Sequence, residues 1–322
     1  LIVAMTEQGE GLLGSAARIP GEGKYLHNQR LGLVEIIAPD VFDKQFLYWA
    51  LNSPTARAQI RATATGAKVR HTAPERIKKV LVPVPGVREQ RAIALVLDSY
   101  DDLIATNQRR IQLLEDAARR LYREWFVHLR FPGHESVKVK DGVPEGWTKM
   151  PLGDLAPLSY GKALKATERQ DGEVPVYGSS GIVGTHNKAL IESGAIIVGR
   201  KGNVGSLYFS PVPCFPIDTV FFIAPEQASY WLYLALHQFN FVSSDAAVPG
   251  LNRNYAHGLQ IVWPDAETRS AFETQAGPMF EQIQNLTQWN AELAKARDLL
   301  LPKLMSGQLD VSGIALPDEV AA

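Results

Sequence analysis

Apolar positions along this chain follow two kinds of pattern. Between residues 93 and 125 they recur in strict four-three alternation, through Ile93, Leu97, Tyr100, Ile104, Asn107, Ile111, Leu114, Ala118, Leu121 and Trp125. That spacing is a heptad seam, the signature of a long helix with one face committed to a partner. A shift of 179 residues carries Pro85 onto Pro264 and the first seam onto a second, through Phe272, Ala276, Met279, Ile283, Leu286, Asn290, Leu293, Arg297, Leu300 and Leu304. Outside the seams the apolar residues come in short runs bounded by glycine and proline. Residues 194–199 and 219–223 read as strands and 230–239 as a buried helix. The run Phe46-Leu47-Tyr48-Trp49-Ala50-Leu51 resembles Trp231-Leu232-Tyr233-Leu234-Ala235-Leu236, and Leu1-Ile2-Val3-Ala4 resembles Ala195-Ile196-Ile197-Val198. The pattern predicts a tandem duplication of a mixed α/β module followed by a long helix.

Ser99 with Asp101 and Asp102 places a hydroxyl and two carboxylates where a helix N-terminus favours them, and Gly277-Pro278 stands at the equivalent point of the second copy. A short helix from about Glu89, a break, and a long arm ending near Phe126 are expected, with a twin ending near Met305. An arm of ~28 residues would be ~42 Å long, longer than one compact module. The simplest partner for each seam is the other, antiparallel, with a module at either end. On this seam Asn107 and Asn290 would fix register, flanked by Ile111, Leu114, Ile283 and Leu293. The alternative, in which each helix packs only on its own globular module, stays open. The expected class is α+β: two mixed α/β domains joined by two long antiparallel coiled-coil helices. The expected boundaries are 1–85 for the first domain, 86–130 for its arm, 131–146 for a linker, 147–264 for the second domain, 265–308 for its arm and 309–322 for a tail.

Composition narrows the function. With 46% hydrophobic and 21% charged positions in 322 residues, the chain can build sizeable cores. Cys214 stands alone, so no internal disulfide forms, and no signal-peptide pattern opens the chain. A reducing, cytoplasmic setting is expected. No apolar stretch reaches the ~18 residues needed to span a bilayer, which removes membrane functions. The net charge of -1 argues against holding nucleic acid by bulk charge. Residues 1–85 carry 11 basic and 7 acidic groups, whereas residues 265–322 carry 4 and 9, so the acidic end is not an expected DNA contact.

Motifs for chemistry are missing. No Gly-Lys-Ser/Thr phosphate loop and no Gly-x-Ser-x-Gly elbow occurs, and Gly199, Gly202 and Gly205 do not fit the dinucleotide fingerprint. The histidines are scattered, and the one acidic-x-Lys triplet, Glu22-Gly23-Lys24, precedes Pro39-Asp40 in the wrong order for a metal-dependent nuclease. Binding is therefore favoured over catalysis, with no catalytic residue, metal or cofactor assigned to the chain. Residues 176–184 and 199–205 read as glycine-rich loops with Arg, Lys, Asn, Ser and Tyr. Such loops let backbone approach a phosphate while side chains reach base edges.

The set Val174-Pro175-Val176-Tyr177-Gly178, Gly181-Ile182-Val183-Gly184, Ile196-Ile197-Val198-Gly199-Arg200-Lys201-Gly202-Asn203-Val204-Gly205 and Pro216-Ile217-Asp218-Thr219, with Val82-Pro83-Val84-Pro85 and Glu89-Gln90-Arg91-Ala92-Ile93, resembles the DNA-specificity subunit of type I restriction-modification systems. The resemblance implies two target-recognition domains reading the halves of a split double-stranded DNA sequence. It also implies helices that set the spacing and dock two methyltransferase subunits, with restriction subunits joining through the complex. Expected DNA contacts in the second domain are Tyr177, Ser179, Ser180, Arg200, Lys201, Asn203, Arg253 and Asn254. In the first they are Lys24, His27, Asn28, Gln29, Arg30, Lys68, Arg70 and His71. Partner contacts are expected on exposed arm faces and at Trp125, Phe126, Trp289 and Leu301. Two departures stand out. Leu1 aligns near residue 195, as if some 50 residues of the first domain preceded it, and Gln90, usual in that family, aligns with Arg269. A coiled-coil adaptor that binds only protein is the rival reading.

Overall fold

A computed structural model describes residues 1–9, 11–21, 23–241 and 250–316. Glu22 of the acidic triplet and residues 317–322 of the expected tail lie outside that set. The chain divides into two compact units, one of Leu1–Arg109 with Thr287–Ala322 and the other of Arg110–Leu286. Both long helices contribute to both units.

In the first unit, strands β1 (Ile2–Ala4), β2 (Thr6–Glu7), β3 (Ala16–Ala17) and β4 (Leu31–Leu33) precede helices α1 (Lys44–Asn52) and α2 (Pro54–Ala62). Strand β1 lies between β3 and β4, antiparallel to both. Each helix starts on a side-chain cap: Asp43 accepts from the N–H groups of Gln45 and Phe46, and Ser53 accepts from Ala56 N–H with Pro54 at the first position. Strand β5 (Arg70–His71) pairs with β2, and α3 (Pro74–Ile77) leads to the first arm, α4 (Val87–Tyr122). Phe46, Trp49 and Ala50 of α1 pack on Ile93 and Leu97 of that arm. The same core takes Leu301, Leu304 and Met305 from the C-terminal helix, then Val311 and Leu316 from the chain beyond it. Arg297 pairs with Asp101, and Asn107 meets Asn290, so the two helices run antiparallel within this unit.

Two expectations about the arms need correcting. No break occurs at Ser99: α4 is one helix of 36 residues, followed by a π-helical turn over Arg123–Val127. The Ser99 hydroxyl donates back to the Val96 carbonyl instead of capping, and the neighbouring carboxylates of Asp98 and Asp101 are drawn to Arg18 and Arg297. Likewise Gly277-Pro278 does not start a helix but lies inside α8 (Ala266–Met305). Asp265 begins it, accepting from Thr268 N–H at 2.8 Å, and burial of Phe272 and Ala276 holds the first turns in place.

The second unit opens with a hairpin, β6 (Val139–Lys140) and β7 (Val143–Pro144), within the expected linker. That segment is anchored: the Phe131 ring packs on Trp147 with centroids 5.0 Å apart. There follow β8 (Thr148–Pro151), α5 (Leu152–Leu155), β9 (Ser159–Tyr160), β10 (Val174–Gly178), β11 (Gly181–His186), β12 (Ala195–Gly199), β13 (Leu207–Ser210), β14 (Phe215–Pro216), β15 (Val220–Ile223), α6 (Tyr230–Leu236), α7 (Arg253–Gly258), β16 (Gln260–Trp263) and α8. One sheet has the order β13-β12-β15-β9, another β11-β10-β14, and β16 pairs with β8. Strand β12 is apolar at every residue before its glycine and wholly buried, as a strand covered on both faces must be. The expected glycine loop at 176–184 is mostly this β10-β11 hairpin, turning at residues 179–180.

Three expected partner contacts are core residues instead. Trp125 is 5% exposed, and Phe126 packs among Tyr122, Trp147, Trp231 and Phe272. Leu301, 7% exposed, belongs to the core of the first unit. All three side chains lie on buried faces, and large apolar groups there gain more from burial than from waiting for a partner. Trp289 remains exposed, at 56%. Of the seam residues, Asn107 is buried, while Ile111, Leu114, Ile283, Asn290 and Leu293 are half-buried.

Candidate nucleic-acid interface

Strand β12 delivers the chain to Gly199, and the loop that follows is closed by its own backbone. Gly199 N–H donates to Ser206 O at 2.7 Å, and Gly205 N–H donates to Gly199 O at 2.8 Å. A Cβ on Gly199 would stand 2.1 Å from Asn203 O, which explains the glycine. The loop is then clamped from two sides. Arg200 and Lys201 N–H groups both donate to Thr219 O, and Leu251 N–H donates to Arg200 O at 2.8 Å. The β10-β11 turn is tied to the same loop: Ser206 Oγ donates to Ser179 O at 2.6 Å, and Asn203 N–H reaches Ser179 Oγ at 3.4 Å.

This framework brings most of the expected contacts of the second unit to one surface. Ser180, Lys201, Asn203, Arg253 and Asn254 are exposed, and Ser179 and Arg200 are half-buried. Tyr177 is the exception and a correction: at 6% exposure it belongs to a core with Ile191, Ala195, Ile197, Cys214 and Val220. Its neighbours Val176 and Gly178 are buried as well, and burial pushes the Tyr177 hydroxyl pKa up. One residue that the motifs did not mark joins the surface. Tyr160 of β9 lies with its ring centroid 4.9 Å from the Arg200 guanidinium carbon and 5.0 Å from that of Arg253. Its strand is two residues long, too short for any periodicity; the only sequence signal was an aromatic ring before Gly161-Lys162.

The first unit closes its loop after β1 in the same way. Gly14 N–H donates to Ala4 O at 2.7 Å, and Thr72 N–H donates to Met5 O at 2.9 Å. Met5 thus occupies the backbone position of Arg200. The cations come from the flanks: Met5 N–H donates to Arg30 O at 2.8 Å, while Thr6 and Glu7 pair with His71 and Arg70. Lys24, His27, Asn28, Gln29, Arg30, Lys68, Arg70 and His71 are all exposed. The backbone brings the 28–30 turn and β5 to either side of residues 5–7. Inside the loop, Glu7 accepts the N–H groups of Gly11, Leu12 and Leu13, bonds that hold its carboxyl below the usual range. Among the described residues no three His, Cys, Asp or Glu side chains are grouped to hold a metal ion, and no helix is long and apolar enough to cross a membrane.

Residues 144–264 match the family model of the type I restriction modification DNA specificity domain, a span that begins at the end of the hairpin and ends where α8 is about to start. In sequence the chain is similar to type I restriction enzyme specificity subunits. It is 25% identical over 313 residues to the type I restriction enzyme MjaIX specificity subunit of Methanocaldococcus jannaschii, covering 87% of this chain and 72% of that protein. Identity to the HindI specificity subunit of Haemophilus influenzae is 20% over 391 residues, covering 90% and 84%. The crystal structure of the type I S subunit from M. genitalium has a similar fold, with a TM-score of 0.57, 18% identity, and coverage of 94% of this chain and 82% of that one. The surface around Arg200 and Lys201 lies within the matched span.

Proposed function

We propose that this chain reads DNA sequence for a type I restriction-modification complex and performs no chemistry itself. In this reading its two α/β modules arose by tandem duplication and are joined by two antiparallel coiled-coil helices. Each module reads one half of a bipartite double-stranded target. The exposed arm faces, Trp289 among them, dock two methyltransferase subunits, and restriction subunits join through that complex. The chain binds no cofactor of its own, and with a single buried thiol at Cys214 it suits the reducing cytoplasm.

The observation that carries the reading is the surface built on the two interlocked turns at 179–180 and 199–205. It presents Arg200, Lys201 and Asn203 from a hydrogen-bonded backbone, with Arg253 exposed at the start of α7, and fixed placement is what base and phosphate recognition require. A gel shift with random-sequence duplex, with and without a methyltransferase subunit, tests it. Retarded DNA in at least one condition is expected. Failure in both, with methyltransferase still bound, would favour a protein-only adaptor. The chain alone should neither methylate nor cut DNA given S-adenosylmethionine, ATP and magnesium; activity that follows the chain through successive chromatographic steps would overturn the non-catalytic reading.

A further inference from the structure

Tyr160 is the point at which two cations from distant segments meet. Arg200 arrives from the loop after β12 and Arg253 from the first position of α7, and both guanidinium carbons lie about one contact distance from the same ring. The ring itself is held. Strand β9 pairs Tyr160 with Phe221 of β15, whose wholly buried ring meets Tyr160 edge-to-face with centroids 4.9 Å apart. Its other contacts are open to solvent, since Tyr160 is 48% exposed.

Neither arginine is in an ion pair among the described residues. Arg200 donates one N–H to Asp218 O at 3.2 Å, which leaves most of its five donors unspent. Two like charges beside one ring repel each other. The negative ring face offsets part of that cost. An anion placed against both guanidiniums would remove the remainder, and guanidinium N–H donors suit phosphate oxygens.

We propose that Tyr160 is a positioning residue, whose ring aligns Arg200 and Arg253 as a single two-guanidinium contact for one DNA phosphate. The proposal rests on the DNA-reading function of this surface, and its test separates the two. Binding of the full chain to a random-sequence fluorescent duplex is measured across a salt series. Replacing both arginines (R200A with R253A) should weaken binding and flatten its log-log salt dependence by up to about two units. If that pair binds as the unmodified chain does, the DNA reading of this surface falls, and the role of Tyr160 with it.

With the pair confirmed, Tyr160→Leu keeps apolar contact with Phe221 but removes the ring, and should cost about three- to tenfold in affinity. In the R200A/R253A background the same change should cost nothing further, because there is no guanidinium left to align. Equal losses in both backgrounds would overturn the proposal. Tyr160→Phe keeps the ring and should recover most of the affinity that the Leu variant loses; a loss as large as that of Leu would overturn the proposal in favour of a hydroxyl contact. Circular dichroism checks folding of each variant. Should the Leu variant not fold, Tyr160→Trp supplies the test: its stronger ring face should preserve or tighten binding, and weaker binding by a folded Trp variant would overturn the proposal.

Discussion

Asn107 donates its side-chain Nδ2 to Oδ1 of Asn290 at 3.0 Å, joining the two long helices through a polar pair on a mostly apolar seam. Asn290 donates in turn to the Ile104 carbonyl at 3.4 Å. Buried amides weaken a seam but reject registers in which they would face apolar side chains. Asn107→Leu alone should destabilise the first unit by about 1 to 3 kcal/mol, because the Asn290 carbonyl loses its donor. Replacing both residues by Leu should recover that loss. Denaturant midpoints of the single and double variants check the non-additivity; a double variant less stable than the single would show that the pair acts through something other than mutual satisfaction.

Phe272 carries the aromatic core of the second unit. Its ring lies 5.9 Å from Trp125 and 5.1 Å from Phe126 by centroid, and it is wholly buried. Phe272→Ala should cost about 3 to 5 kcal/mol, the transfer term plus the cavity left behind. Thermal unfolding followed by near-ultraviolet circular dichroism reads the loss through the tryptophans. A change below ~1 kcal/mol would mean that the cluster does not organise this unit.

Glu7 sets an acid limit on the first unit. Its carboxyl is lowered chiefly by the Leu13 N–H, against a burial effect that raises it, with Gly11 and Leu12 N–H groups and nearby Arg61 adding to the lowering. The unfolded chain therefore binds the proton more tightly than the folded one. The stabilisation is present above the ordinary value of 4.5 and is lost as pH falls through the lower folded value. Glu7→Gln should cost about 1 to 3 kcal/mol at pH 7. The gap between variant and parent should narrow as the solution is taken below the ordinary carboxylate range, and a gap independent of pH would rule out the carboxylate as its source.

Lys201, exposed on the loop beside Arg200, should act through charge. Arg200→Ala with Lys201→Ala should weaken binding to every duplex and lower the salt slope by up to about two units if both touch phosphate. If one reads a guanine, discrimination at a single base pair should relax by roughly 1 to 3 kcal/mol. Selection from a randomised duplex library distinguishes these outcomes; unchanged affinity and preference would leave the loop a structural role.

Some of this was written in local order. The heptads at 93–125 and 272–304 announced two long helices, and the apolar runs at 194–199, 219–223 and 230–239 announced strands and a buried helix, because period and run length follow from the geometry of each element alone. Cap signals misled at Ser99 and Gly277-Pro278, since a hydroxyl or a proline restrains its own turn but does not decide whether long-range packing carries the helix through it. The alignment of Gln90 with Arg269 looked like a lost residue. In the fold Gln90 donates to the Pro85 carbonyl at 2.7 Å and Arg269 to the Pro264 carbonyl at 3.1 Å, so different side chains satisfy the same acceptor five residues back.

The sequence by itself determined the two long helices, the glycine turns and the likeness to a known family, all of which depend on residue order along short stretches. Only the tertiary structure decided which functional-looking side chains face water. Tyr177 and Arg200 belong to the same run of motifs, yet one ring is sealed in a core and the other side chain reaches the surface. Trp125 and Trp289 are both large and apolar on long helices, yet one is 5% exposed and the other 56%. Tyr160 was invisible until β9 paired with β15 and set its ring beside two arginines, one from a loop and one from the start of α7. Exposure and cation placement are properties of contacts between residues far apart in the chain, and no local pattern encodes which of those contacts the packed core will make.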